Sequence, residues 1–85
     1  MDDLLLTSAF RAHSAGKDTF TRRMAIAIAD MVDASPKRVI VRLEQLELLK
    51  YGAWDWFQTN GGISKAQIEE VRADLRRALA AREAK

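Results

Sequence analysis

Helix-breaking residues are scarce in this chain of 85 residues: one proline and four glycines in all. They stand at Gly16, Pro36, Gly52 and the pair Gly61–Gly62, beside Ser14–Ala15, Ala34–Ser35, Tyr51 and Asn60. So few breaks leave little material for the frequent tight turns of a sheet, and they predict helices joined by short connections. The expected fold is all-α, a single small domain over residues 1–85. At this length folding buries about 60–65 % of the surface of the unfolded chain, so the core is thin.

Apolar spacing fills in the elements between the breaks. From Asp3 to His13, Leu6 and Phe10 stand four apart, with Leu5, Ala9 and Ala12 on the same broad face. Asp2 and Asp3 suit a helix start, where the dipole favours negative charge. A second helix is predicted from an N-cap at Asp18 or Thr19 to Val32, with Phe20, Met24, Ala27, Ile28 and Met31 on one face. Its second half is apolar nearly all round, as a central buried helix is. The third has the sharpest start, Ser35 as N-cap and Pro36 at the first helical position. Val39, Leu43, Leu46 and Leu49 carry it to Lys50. The last helix, 64–84, opens on Ser64 and Gln67 at capping-box spacing, with Ile68, Val71, Leu75 and Leu79 on one face. Glu69 with Arg72 and Asp74 with Arg77 are expected as surface pairs three apart. Residues 53–60 fit a short helix ending at Asn60–Gly61. Trp54, Trp56 and the following turn also fit a strand.

Composition excludes several function classes. There is no cysteine, and His13 is the one histidine. Disulfide frameworks, thiol nucleophiles, zinc ribbons and most His-based catalytic arrangements are therefore ruled out. The carboxylates Asp30/Asp33, Glu44/Glu47 and Glu69/Glu70/Asp74 are spaced as solvated surface. No catalytic residue, metal site or cofactor is expected, and the protein is read as non-enzymatic. Gly61–Gly62 matches no phosphate-loop spacing. No apolar run is long enough to span a membrane, and Asp2–Asp3 before Leu4–Leu6 does not resemble a signal peptide, so a cytoplasmic protein is expected. Net charge is +2. Four basic residues against two acidic ones fall in 36–50, and six against four in 63–85.

The stretch Ile26–Gly52 is the most informative. A helix carrying Ala29 meets a tight turn, then Ser35–Pro36, Val39, Arg42–Leu43, Leu46–Glu47 and Gly52. This run resembles the helix-turn-helix of winged-helix bacterial regulators of the leucine-responsive and multiple-antibiotic-resistance families. The resemblance implies that helix 35–50 lies in the DNA major groove, braced by the helix before it. It also implies a bacterial or mobile-element source and a dimeric transcriptional regulator. Asp33 stands where those families carry glycine in the turn. Only residues 53–63 separate the third helix from the fourth, so the hairpin wing is expected to be absent or truncated.

At 100° per residue, with Val39, Leu43 and Leu46 inward, the opposite face of helix 35–50 presents Lys37, Val41, Glu44 and Leu48. Arg38, Arg42 and Gln45 lie on one flank, Ile40 and Glu47 on the other. The expected DNA-binding set is Arg22, Arg23, Ser35, Lys37, Arg38, Val41 and Arg42. Lys37 and Arg38 suit phosphates or guanine, Val41 a thymine methyl, and Arg22 and Arg23 the backbone. Glu44 would repel phosphate, and Leu48 is apolar. The other reading is a protein-interaction module without DNA, a phage or mobile-element inhibitor or adaptor, docking through Ile40, Val41, Leu48, Trp54 and Trp56. Helix 64–84 either packs back on the domain or pairs with a second copy in a homodimer.

Overall fold

Each helix starts where an oxygen can accept the N–H groups that the first turn leaves free. In the computed structural model, which describes residues 1–83, five helices follow in order and no strand occurs among those residues. In α1 (Asp3–Ser14), Asp2 Oδ1 accepts from the Leu4 and Leu5 amides at 2.9 and 3.3 Å. In α2 (Arg22–Val32), Thr21 Oγ1 accepts from Met24 at 3.2 Å. In α3 (Pro36–Gln45), Ser35 Oγ accepts from Arg38 at 3.3 Å, with Pro36 in the first turn as expected. Residues 53–60 resolve as helix, not strand: α4 runs from Ala53 to Thr59. In α5 (Lys65–Glu83) the capping box is complete, Gln67 to Ser64 Oγ at 3.1 Å and Ser64 to Gln67 Oε1 at 2.9 Å.

Two boundaries differ from those expected. The second helix starts at Arg22, capped by Thr21 rather than by Asp18 or Thr19. Phe20 stays outside it, its ring centroid 5.8 Å from that of Phe10 and 6.3 Å from that of Phe57. A helix begun earlier would wind Phe20 onto α2 instead of leaving it to close the seam between the two parts of the core. The third helix stops at Gln45, not Lys50. Glu47 is left-handed (φ 60), the Leu48 amide donates to Leu43 O at 2.9 Å, and the Glu47 amide donates to Glu44 O at 3.0 Å. This pair of bonds is a Schellman closure. Continued helix would have held Leu48 on the solvent side, whereas the turn brings Leu48 and Leu49 against the core.

The core has two parts, with α2 in both. In one, Leu6 and Ala9 of α1 meet Ile28, Ala29 and Val32 of α2 and Val39 and Leu43 of α3. In the other, Ala25, Ile40 and Phe57 are buried, flanked by Ala53, Trp54 and Ile63. Met24 to Ala29 are all buried, so α2 is the central helix that its composition predicts, although Met31 is half exposed. The turn after α2 holds Asp33 at φ 54, and the Ala34 amide closes it on Ala29 O at 3.0 Å. Asp33 thus takes the left-handed geometry in which glycine is easiest. On the far side of α2, Arg23, Ala27 and Asp30 form one stripe facing α5, with ion pairs Arg23–Asp74 and Arg72–Asp30, each at 3.1 Å. Arg72 therefore reaches α2 and not Glu69, while Asp74–Arg77 pairs as expected. Residues 76–82 of α5, Leu79 among them, are exposed.

Candidate nucleic-acid interface

The solvent side of α3 carries the cations, and each has a definite setting. Lys37 and Arg38 are exposed and form no ion pair among the described residues. The Lys37 ammonium lies 5.8 Å from the centroid of the Trp54 ring, a cation–π contact that lays the side chain along the helix surface. Arg42 is engaged through three of its N–H donors. Its Nε and Nη2 donate to the two carboxylate oxygens of Asp3 at 2.9 and 2.5 Å, and its Nη1 donates to Gln45 Oε1 at 3.0 Å. This hydrogen-bonded guanidinium holds the Asp3 carboxyl below its ordinary range, and Asp3 in turn raises Arg42. Val41 is half-buried between these residues. Lys37, Arg38, Val41, Arg42 and Gln45, with Met1 at the edge, line one shallow depression of about 280 Å³. Ser35 does not line it, and its hydroxyl is committed to the α3 cap.

Glu44 does not face outward among them. Its Oε1 accepts from the Gly52 and Ala53 amides at 2.5 and 3.0 Å, so it caps α4, whose first residues offer no side-chain cap of their own. Gly52 is left-handed at φ 92, which suits the abrupt entry into that helix. The carboxylate expected in the middle of the reading face is thereby turned to the flank of α3 and placed at a positive helix end.

The two arginines of α2 lie apart from this face. Arg22 donates through Nε to Gly62 O at 2.8 Å and through Nη2 to Asn60 O, and its guanidinium lies 5.9 and 5.4 Å from the Trp56 and Phe57 rings. It ties α2 to the turn between α4 and α5. Arg23 is paired with Asp74. The structure thus brings Lys37, Arg38, Val41 and Arg42 together and leaves Arg22 and Arg23 on other surfaces.

The docking set expected for a protein partner does not form one surface. Ile40 is 0 % exposed, covered by α4, because it projects about 100° from Val39 and meets Ala25 and Phe57 while Val39 meets the other half of the core. Leu48 is turned inward by the end of α3, and Trp54 is half-buried against Ile40 and Phe57. Trp56 is exposed and packs edge-on against Phe57, with ring centroids 5.2 Å apart. Tyr51, absent from the expected set, is 98 % exposed.

Asp3 and Gln45 complete the setting of Arg42, and nothing local marks Asp3, which lies 39 positions away in the chain. Among the described residues no three His, Cys, Asp or Glu side chains converge on a metal position. Nor is any helix there long and apolar enough to cross a membrane. Compared with protein-family models, curated proteins and solved structures, the chain has no match.

Proposed function

We propose that this protein binds duplex DNA without catalysis, as a small transcriptional regulator, with α2, the Asp33 turn and α3 acting as a helix-turn-helix. The observation that carries the reading is the grouping of Lys37, Arg38, Val41, Arg42 and Gln45 on one open face from which Glu44 is turned away. Cations in the first turn of α3 add to the positive end of its dipole, a setting that attracts phosphate oxygens. In this reading Lys37 and Arg38 supply the main phosphate contacts. A second copy pairs through the exposed end of α5, and the protein works in the cytoplasm.

The test is duplex binding as a function of salt, for the wild type and for Lys37→Ala/Arg38→Ala. Wild-type affinity is expected to fall steeply with salt. The double variant should flatten the logarithmic slope by about 1.8, since each neutralised phosphate contributes about 0.9. A folded wild type that binds no duplex at low salt overturns the reading.

A second reading has its own observation on another face. Tyr51 and Trp56 stand exposed beside an apolar depression floored by Phe20, Leu49, Ala53 and Phe57. Exposed aromatics over an apolar floor are favoured anchors in protein interfaces. Loss of a function on Trp56→Ala with DNA binding intact would favour an adaptor role.

A further inference from the structure

We propose that Asp3 sets the specificity of this interface, because its carboxylate occupies the Arg42 guanidinium and competes with duplex phosphate for it. The inference rests on the DNA reading above. A guanidinium presents a planar fork that a carboxylate and a phosphate fill in the same bidentate way. In this protein Asp3 fills it, through Nε and Nη2, and Gln45 takes a donor from Nη1. The neighbouring Asp2 is not available for the role, since its Oδ1 caps α1. The first turn of α1 therefore sends a single carboxylate onto the cationic face, at the edge that Met1 also lines. Arg42 keeps that carboxyl ionised well into acid, so neutral solution does not relieve the competition.

A phosphate that takes the Nε–Nη2 fork of Arg42 must displace Asp3 and leave its negative charge facing the polyanion. Sequence-independent binding is then carried by Lys37 and Arg38, with little gain from Arg42. A site whose base edges seat α3 more deeply supplies contacts that offset the displacement. The chain thus lowers its affinity for DNA at large without lowering the number of cations on α3.

The experiment is fluorescence anisotropy on a mixed-sequence duplex of about 20 base pairs between roughly 50 and 200 mM salt. The proteins are the wild type, Asp3→Asn, Arg42→Ala and the double variant, with Asp18→Asn as an exposed carboxylate away from this face. Asp3→Asn is expected to tighten binding about threefold or more and to steepen the logarithmic salt slope by about one. Asp18→Asn should change affinity by less than about twofold, and once Arg42 is alanine the gain from Asp3→Asn should shrink to the size of that general charge effect. Asp3→Ser, which keeps a good helix-start residue, should give the same gain, and circular dichroism checks that both variants are folded. An equal gain from Asp18→Asn, or a gain from Asp3→Asn that persists undiminished without Arg42, overturns the proposal. So does a wild type that binds while the folded Asp3 variants bind no tighter, which leaves the DNA reading standing. No binding by any protein at the lowest salt overturns both.

Discussion

Helices α2 and α5 are neighbours held by different forces. Seven of the eleven residues of α2 are buried, in contact with both parts of the core. In α5, nineteen residues long, Ile68, Val71 and Leu75 are only partly buried, and its fixed links to α2 are Arg23–Asp74 and Arg72–Asp30. Apolar burial is insensitive to salt and to the protonation of carboxylates. Exposed ion pairs are weak, screened and lost in acid. The difference teaches that the domain has one cooperative centre, α1 to α4 around α2, and a long helix attached to it by conditional contacts.

The largest expected effect breaks the centre. Ile28→Ala removes a fully buried side chain between α1 and α3 and should cost about 2–5 kcal/mol in denaturant unfolding, enough to unfold a marginal domain. Next comes Glu44→Ala, which strips the cap from α4. By analogy with N-cap losses it should cost about 0.5–2 kcal/mol, with amide exchange rising first in 53–59.

Asp74→Asn should have a smaller effect, confined to α5. The Arg77 and Arg23 hydrogen bonds lower the Asp74 pKa from its ordinary 3.8. Its stabilising contribution is therefore complete above that value and is lost as pH falls through the lowered one. Amide protection in 65–82 should drop on acidification in the wild type and by less in Asp74→Asn, which keeps only the Arg72–Asp30 link, while α2 shows no such drop. Smallest of all is Leu79→Ala, on the exposed end of α5, expected within about 0.5 kcal/mol of wild type in a thermal melt of the dilute protein. A large loss there would mean that α5 is covered as α2 is, and the comparison would fail.

Local rules reached the helix starts at Asp2, Ser35 and Ser64, because a cap is a contact between residues three apart or fewer. They reached the burial of Met24 to Ala29 because a helix apolar on all sides has no face to give to water. They failed at the end of α3. The helical angle placed Leu48 outward only while the helix continued, and no glycine marks the stop at Glu47. They failed at Ile40 as well, since a helix buried on two flanks shows the same residues as one with an apolar patch on its surface. Phe57 and Ala25, which cover Ile40, come from two other helices.

The sequence by itself determined an all-helical chain, the starts of α1, α3 and α5 and the residues that could form a cationic face on α3. Which of those residues stay available to a partner was decided only by tertiary structure. Asp3 takes Arg42, Trp54 steadies Lys37, and the α4 N-terminus draws Glu44 away. The physical reason is the same in each case. A charge or ring finds the nearest complementary group in space, and that group lies in another helix, at a separation that propensity and periodicity do not register.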